Sequence, residues 1–242
     1  MSGGPVAVVV PVYGNEATLV ELARRVAAAL ADRAWALRLV VDASPDESEA
    51  VARRLAAGDG RVRVTSLALN QGQHEALRSG LEDEPAAGAW VCLDADLQDP
   101  PEAVPLLLER LAAGDVDAVF AGRAGAYEGR SRLLTGRLHR ATLRRITGLP
   151  ADAGAFVALA PRARDAVVRL RAPSIVAAVG VAGVPTTSLP VTRHRRPSGR
   201  SGWTTAARLR QSGRTLLWAA RHRLAQERAV PSLSRRPAKE TA

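Results

Sequence analysis

Short apolar runs recur along the first half of the chain and alternate with segments of helical spacing. The runs are Val6–Val10, Leu37–Val41, Val62–Leu67, Ala89–Leu93 and Ala118–Ala121. Their length and, except in Val62–Leu67, their apolar content are typical of strands buried on both faces of a parallel sheet. Between the first two runs, Leu19, Leu22 and Val26 recur at helical spacing. Strands alternating with helices in units of roughly 25–30 residues predict a doubly wound, mainly parallel α/β sheet flanked by helices.

The second half of the chain has a less regular pattern. Apolar positions predict strands at Phe156–Leu159 and Val184–Val191, with a helix at Pro161–Leu170 between them. An arginine-rich segment, Arg130–Ile146, also has helical spacing.

A helix start is also expected between the second and third predicted strands. Ser44 and Glu47 have the spacing of a capping box, in which the serine side chain closes the first turn of a helix. The pattern therefore predicts that Ser44 is the N-cap.

A basic helix with one apolar face is predicted from about Thr204 to Leu224. Two interpretations stay open: the face lies in a membrane interface, or it packs against the sheet domain. We predict one domain over residues 1–203, this helix over 204–228 and a disordered tail over 229–242. The apolar face holds Leu209, Gly213, Leu216, Leu217, Ala220 and Leu224, flanked by Arg210, Arg214 and Arg221.

Charge is divided unevenly between the two halves. Residues 1–120 contain 10 basic and 19 acidic side chains, a net charge of −9, whereas residues 121–242 contain 24 and 5, a net charge of +19. This asymmetry suggests a metal site in the first half and an anion-binding surface in the second. A general drift of the composition towards arginine is the alternative. Nucleic-acid binding is not expected, because the sequence has no motif of an RNA- or DNA-binding fold.

The composition is that of a globular protein, with 47% apolar residues. The single cysteine, Cys92, lies in an apolar run and is interpreted as a buried small hydrophobe, as expected in a reducing compartment. No stretch reaches the ~18 apolar residues of a membrane span, and the N-terminus lacks the charged region of a signal peptide. We therefore expect a cytoplasmic protein, with a position at the inner face of the membrane as the alternative.

Polar residues follow three of the predicted strands. Tyr13 comes after the first, Asp42 after the second, and Asp94 and Asp96 after the fourth. In parallel sheets, ligands bind outside the carboxyl ends of the strands, so these side chains are expected around one crevice. Two carboxylates with few other ligands suit Mg²⁺, which takes further oxygens from substrate phosphates. A polar loop or a helix cap is the simpler interpretation of an isolated Asp-x-Asp.

Several motifs together resemble glycosyltransferase family 2, which has the GT-A fold, and within it the dolichol-phosphate mannosyltransferase-like branch that includes bacterial polyprenyl-phosphate glycosyltransferases. The motifs occur in the family's order over roughly residues 6–203, and the uninterrupted DADLQDPPE of Asp94–Glu102 is the most specific of them. They are Val9-Val10-Pro11-Val12-Tyr13 with Asn15-Glu16, Val41-Asp42-Ala43-Ser44-Pro45-Asp46, Asn70-Gln71-Gly72-Gln73-His74, Asp94–Glu102, Gly122-Arg123, Asp152-Ala153-Gly154-Ala155-Phe156 and Arg196-Pro197-Ser198-Gly199-Arg200-Ser201.

The resemblance implies a GT-A domain and an inverting, metal-dependent glycosyltransferase. It implies a UDP- or GDP-sugar donor, Mg²⁺ or Mn²⁺ as cofactor, and a polyprenyl phosphate as acceptor. Of the residues, it implies a nucleotide pocket lined by Pro11, Tyr13, Glu16 and Asp42, a metal and diphosphate site at Asp94, Asp96 and Gln98, and phosphate contacts from Arg123 and Arg196, with help from Arg130, Arg132 or Arg137.

The acceptor is left open by the residues themselves. A phosphate acceptor is already ionised, whereas a hydroxyl acceptor needs a base, for which Asp152 is the candidate. The alternative for Asp152 is an aspartate that caps the turn before a strand. The family usually has two adjacent acids where this chain has Val41-Asp42, and a non-catalytic nucleotide-sugar-binding module of the same fold is therefore a further alternative.

Overall fold

The sheet of this protein has seven strands. The structure is a computed structural model that describes residues 4–124, 141–194 and 205–229. All five strands predicted in the first half are present, and so are both strands predicted in the second half. The strands are β1 (Val6–Val12), β2 (Trp35–Asp42), β3 (Val62–Leu67), β4 (Ala89–Cys92), β5 (Ala118–Ala124), β6 (Val157–Leu159) and β7 (Thr186–Thr192).

The strand order across the sheet is β3-β2-β1-β4-β6-β5-β7. Strand β6 pairs antiparallel with both β4 and β5, whereas the other pairs are parallel. Six strands therefore end at the same edge, which we call the carboxyl edge. The reversed β6 begins there, so the segment before β6 also reaches this edge. The prediction of a mainly parallel, doubly wound sheet is confirmed.

Helices cover both faces of the sheet. On one face α1, α2 and α4 pack against side chains such as Val8 and Val10, and on the other face α3, α6 and α7 pack against Ala7 and Val9. This division follows from the alternation of side chains along β1. The helices are α1 (Leu19–Ala29), α2 (Ser48–Gly58), α3 (Gln73–Glu82), α4 (Val104–Ala112) after a 3₁₀ turn at Pro101–Ala103, α5 (residues 141–147), α6 (Pro161–Leu170), α7 (Ile175–Ala182) and α8 (Thr205–Ala229).

One local prediction needs correction, and one helix was not predicted. Helix α2 begins at Ser48, and the Ser44 hydroxyl instead accepts a hydrogen bond from the Gly14 N–H, so the prediction of Ser44 as N-cap is wrong. Helix α7 was not predicted, because Ile175–Ala182 is apolar on all sides and carries no helical period. A helix of this kind is found where it is buried all round. The predicted helix Arg130–Ile146 is described only over its last residues, within α5.

Helix α8 occupies the segment where the basic helix was predicted. Its buried residues Thr215 and Ala219 lie on the side that packs against α7. Its leucines Leu209, Leu217 and Leu224 are more than half exposed. Among the described residues, no helix is long and apolar enough to cross a membrane. The division of the chain at residue 203 remains a prediction, and the predicted tail lies almost wholly outside the described residues.

Candidate active site

The acidic loop, residues 93–99, leaves β4 at the carboxyl edge. Its first residue continues the sheet, because the Leu93 N–H donates to the Val9 carbonyl over 3.1 Å. The Thr18 hydroxyl then donates to the Ala95 carbonyl over 2.7 Å, which ties the loop to the start of α1. These two bonds fix the direction in which the loop departs from the sheet.

A left-handed turn separates the two ends of the loop. Leu97 has a φ of +58°, a conformation that costs a residue with a side chain about 1–2 kcal/mol. On either side of this turn, the Gln98 N–H donates to Asp96 Oδ1 over 3.0 Å, and the His194 N–H donates to the Gln98 carbonyl over 2.8 Å. The turn is thus held both within the loop and from the end of β7.

The carboxylates of the acidic loop have defined neighbours. The Gln73 amide donates to Asp94 Oδ1 over 2.6 Å. Arg193 lies 3.5 Å from Asp94 Oδ2 and 3.0 Å from Asp99 Oδ1. Asp96 is only 7% exposed. Residues from α3 and from the end of β7 therefore complete the surroundings of Asp94, which itself follows β4.

The oxygen atoms at this edge fit a hard divalent cation. Asp94 and Asp96 provide carboxylate oxygens and Gln98 an amide oxygen, which are ligands that suit Mg²⁺ and Mn²⁺. The described residues contain no cluster of three or more His, Cys, Asp or Glu side chains arranged around a metal. So sparse a set fits a cation that shares its coordination with substrate phosphates.

The loops after β1 and β2 are joined by hydrogen bonds. The N–H groups of Gly14 and Asn15 donate to the hydroxyls of Ser44 and Ser48 over 2.8 and 2.9 Å. The Glu16 N–H donates to Asp46 over 3.1 Å. We call these hydrogen bonds between the two loops the clasp. Tyr13, on the first of the two loops, is 45% exposed and lies at the carboxyl edge as predicted. The backbone of Pro11 lies in β1 beside that of Val40.

Asp46 is the acceptor at the centre of this clasp. Partial burial alone raises the pKa of its carboxyl, but hydrogen bonds from the Ser44 and Ser48 hydroxyls and from the Glu16 and Ser48 N–H groups outweigh it and leave the pKa below its usual range. The carboxylate form of Asp46 therefore stabilises the contact between the two loops.

Asp42 stabilises the turn between β3 and α3. Its carboxylate is 3% exposed and accepts the N–H groups of Gln71 and Gly72 over 2.7 and 2.8 Å. It thereby fixes the turn that leads into α3, and α3 carries Gln73 to Asp94. The predicted contact of Asp42 with a nucleotide stays a prediction.

Asp152 reaches the carboxyl edge because β6 runs in the reverse direction. It precedes β6, and its carboxylate packs on the backbone of Gly122 in β5. A Cβ atom at position 122 would lie only 2.0 Å from Asp152 Oδ2. The position of Asp152 therefore requires a glycine, without a side chain, at position 122 of the Gly122-Arg123 motif.

The predicted phosphate-binding arginines are only partly covered. Arg123 lies near the end of β5, where its backbone pairs with that of Val191. Arg130, Arg132, Arg137 and Arg196 lie outside the described residues. Gln73 and Arg193 were not predicted as neighbours of Asp94. Gln73 stands in the Asn70–His74 motif, and Arg193 directly follows β7, so their positions at helix and strand ends were available signals.

Cys92 is enclosed at the end of β4. It is fully buried and forms no disulfide, and burial raises the pKa of its thiol far above the usual value, with the Asp94 charge adding to the effect. This confirms the interpretation of Cys92 as a small buried hydrophobe beside the acidic loop.

Curated relatives match part of the chain. An undecaprenyl-phosphate 4-deoxy-4-formamido-L-arabinose transferase of Pseudomonas aeruginosa is 41% identical over 147 residues, which cover 60% of this chain and 43% of that protein. The transferase of the same name from Sodalis glossinidius is 38% identical over 146 residues, 59% of this chain and 44% of that protein. The match thus spans less than half the length of these relatives.

Solved structures of sugar-transferring enzymes have a similar fold. Glucosyl-3-phosphoglycerate synthase of Mycobacterium tuberculosis, in complex with Mn²⁺, UDP and phosphoglyceric acid, aligns with a TM-score of 0.67 at 19% identity, over 91% of this chain and 79% of that one. Mannosyl-3-phosphoglycerate synthase of Rubrobacter xylanophilus aligns with a TM-score of 0.63 at 18% identity, over 98% and 79% of the two chains. These likenesses identify the GT-A fold.

A family model covers the segment that builds most of this edge. It is the model described as glycosyl transferase family 2, and it matches residues 7–157. That range includes the loops after β1, β2 and β4 and the approach to β6 with Asp152. With more than half of the chain matched, the protein belongs to glycosyltransferase family 2.

Proposed function

We propose that the chain transfers a sugar from a nucleotide diphosphate sugar to an acceptor phosphate, with inversion at the anomeric carbon. The observation that carries this proposal is the placement of Asp94 and Asp96 on a fixed loop at the carboxyl edge, where ligands of parallel sheets bind. The names of the P. aeruginosa and S. glossinidius relatives support a polyprenyl-phosphate acceptor. The Mn²⁺ and UDP in the M. tuberculosis synthase support a metal-dependent nucleotide donor.

Each end of the donor has a proposed set of contacts. Asp94, Asp96 and Gln98 would hold Mg²⁺ or Mn²⁺, which neutralises charge on the departing nucleoside diphosphate. The nucleotide side of a UDP- or GDP-sugar is lined by Pro11 in β1 and by Tyr13 and Glu16 on the loop after it, which Asp46 holds through the Glu16 N–H. Asp42 supports the donor site through the turn before α3. The sugar then develops oxocarbenium character between the leaving phosphate and the acceptor.

The acceptor phosphate approaches from the face opposite to the leaving group. Because a phosphate oxygen is already ionised at neutral pH, this route needs no strong general base. Arg123, Arg137 and Arg196 are the proposed phosphate contacts, since a guanidinium pairs with phosphate through two parallel hydrogen bonds. The excess of basic over acidic side chains in the second half of the chain, which has a net charge of +19, supports an anionic acceptor.

A hydroxyl acceptor is the second candidate. It is favoured by the carboxylate of Asp152, which lies at the carboxyl edge against Gly122 and could accept a proton there. In this case the reaction depends on Asp152, whereas transfer to a phosphate does not.

We also propose that α8 holds the protein at an anionic membrane surface. Three exposed leucines, Leu209, Leu217 and Leu224, share one side of the helix with arginines beside them, which is the pattern of an interfacial helix. Beside this exposed side, Arg214 lines a polar cavity together with Gln73, the residue whose amide reaches Asp94. The helix therefore lies close enough to the carboxyl edge for a lipid phosphate to reach both.

Product formation in the presence of two acceptors tests the proposal. Wild type, Asp96→Asn and Asp152→Asn are incubated with a panel of UDP- and GDP-sugars and Mn²⁺, with undecaprenyl phosphate in detergent or with a simple alcohol as acceptor. We expect glycosylated lipid from the wild type and from Asp152→Asn, and a loss of at least about 100-fold in Asp96→Asn, the effect of removing a charge that stabilises the transition state.

Asp115→Asn is the matched control, because Asp115 pairs with Arg110 at the distant end of α4. Transfer by Asp96→Asn at the wild-type rate would contradict the proposed site. Transfer to the alcohol alone, lost in Asp152→Asn, would instead establish the hydroxyl route.

A further inference from the structure

Arg193 is enclosed between two acids of the acidic loop. Its side chain is 7% exposed, lies 3.0 Å from Asp99 Oδ1 and 3.5 Å from Asp94 Oδ2, and directly follows β7. The Asp99 side chain is equally buried. By contrast, the pair of Arg53 and Glu49 on α2 is largely exposed. Arg193 is thus part of the interior of the site and not of a surface ion pair.

Both oxygens of Asp94 face a donor group in this arrangement. Gln73 donates to Oδ1 over 2.6 Å, and the Arg193 guanidinium lies beside Oδ2. Charge-assisted hydrogen bonds between nitrogen and oxygen are about 2.7–2.9 Å long, so the contact of Arg193 with Asp94 is loose and its contact with Asp99 is the closer one. A divalent cation that takes Asp94 Oδ2 as a ligand must compete with this guanidinium, because two cations at one carboxylate repel each other.

We propose that Arg193 is a donor-binding residue that exchanges Asp94 for the diphosphate of the donor. Without metal, Arg193 neutralises Asp94 and Asp99 together. With a divalent cation held at Asp94, Arg193 would stay beside Asp99 and would offer its Nη2 to a phosphate oxygen of the nucleotide. This inference rests on the proposed donor. It implies that the Arg193 side chain weakens the binding of metal alone and strengthens the binding of the diphosphate.

A purely structural bridge would behave differently. The end of β7 is already attached to the acidic loop by the bond from the His194 N–H to the Gln98 carbonyl. If Arg193 only strengthened this attachment, its removal would loosen the loop and weaken the binding of metal and nucleotide alike.

Two binding constants separate these possibilities. Binding of Mn²⁺ alone to wild type and Arg193→Gln is followed through the loss of the free Mn²⁺ signal in electron paramagnetic resonance. Binding of UDP and of GDP is followed by calorimetry at saturating Mn²⁺. We expect Arg193→Gln to bind Mn²⁺ alone several-fold more tightly, and the nucleotide roughly tenfold more weakly, the size of one hydrogen bond to a charged group.

Arg110→Gln is the matched control, since it removes an arginine from an ion pair far from this edge, and both constants should stay unchanged. Arg193→Met, which fills similar volume without charge, replaces Arg193→Gln if thermal unfolding shows that the latter does not fold. The proposal is overturned if the two constants move in the same direction, or if the Mn²⁺ constant does not change. If neither nucleotide binds to the wild type with Mn²⁺, the proposed donor is wrong, and the comparison with Mn²⁺ alone still decides whether Arg193 competes at Asp94.

Discussion

Single residues at the carboxyl edge are fixed by space as much as by charge. Leu97 accepts a left-handed conformation so that Asp96 and Gln98 can hydrogen-bond across the turn. Gly122 has no side chain at the one point where the Asp152 carboxylate touches the backbone of β5. The position of the Asp152 carboxylate therefore depends on the absence of a side chain at Gly122.

Gly122→Ala should therefore destabilise the protein through Asp152. The new methyl group would lie 2.0 Å from Asp152 Oδ2, and overpacking of this kind costs about 1–3 kcal/mol. In an Asp152→Ala background the same change should cost less, because the closest contact is absent. Urea denaturation of the four chains gives the coupling between the two positions.

Gly58→Ala is the matched control for this cycle. No atom lies within 4 Å of a Cβ built at Gly58, which ends α2, so its replacement should leave stability nearly unchanged. An equal cost of Gly122→Ala in both backgrounds would show that Asp152 is not what the methyl group meets.

At the scale of elements, the loops after β1 and β2 form one unit. Asp46 accepts hydrogen bonds from Ser44, Ser48 and Glu16, so that polar hydrogen bonds connect the two loops at this part of the carboxyl edge. The wrong prediction of Ser44 as a helix cap has its reason here. The serine bonds across to the neighbouring loop, a contact that local spacing does not indicate.

The clasp should weaken as the pH falls. The pKa of Asp46 is lower in the folded protein than its usual value, so its stabilising effect is complete above the unfolded pKa of about 3.9 and is lost as the pH falls through the folded pKa. Asp46→Asn lacks this effect at every pH. The difference in unfolding free energy between wild type and Asp46→Asn should therefore narrow between pH 6 and pH 3.

Urea denaturation at several pH values measures this difference, and Glu109→Gln on the exposed side of α4 serves as the control. A gap between wild type and Asp46→Asn that stays constant down to pH 3 would mean that Asp46 does not titrate as part of the clasp.

At the scale of the whole molecule, α8 connects the site with a surface. Thr215 and Ala219 hold the helix on α7, Arg214 lines the cavity beside Gln73, and the leucines remain outside. One side of the predicted helix therefore packs on the domain, and another side stays exposed. Membrane contact through the exposed side remains a proposal.

Co-sedimentation with phosphatidylglycerol liposomes tests this contact. Each arginine near an anionic surface contributes about 1 kcal/mol at low ionic strength, so the full chain should sediment at low salt and less at high salt. Leu217→Ser combined with Leu224→Ser should reduce binding, because the helix then has less apolar area to bury.

Leu106→Ser is the matched control, since Leu106 is also about half exposed but lies on α4. A wild-type chain that stays in the supernatant at low salt, or an equal loss with Leu106→Ser, would contradict the membrane contact of α8.

The sequence by itself determined the parallel sheet, the carboxyl edge and the acidic loop, because each depends on short-range patterns. Buried strands are visible as apolar runs such as Leu37–Val41, and Asp94 and Asp96 directly follow such a run. Motif order was sufficient for the family, which the match over residues 7–157 confirmed. Helix Pro161–Leu170 was likewise predicted with the bounds that the structure has.

Only the tertiary structure decided which distant residues surround these acids. Arg193 is about 100 residues from Asp94 in the chain, and the two meet because β7 ends at the same edge as β4. Asp152 reaches that edge because β6 is reversed, and the carboxylate of Asp42 is occupied by the turn before α3. Strand direction and long-range hydrogen bonds are properties of the folded sheet, and residue spacing along the chain does not contain them.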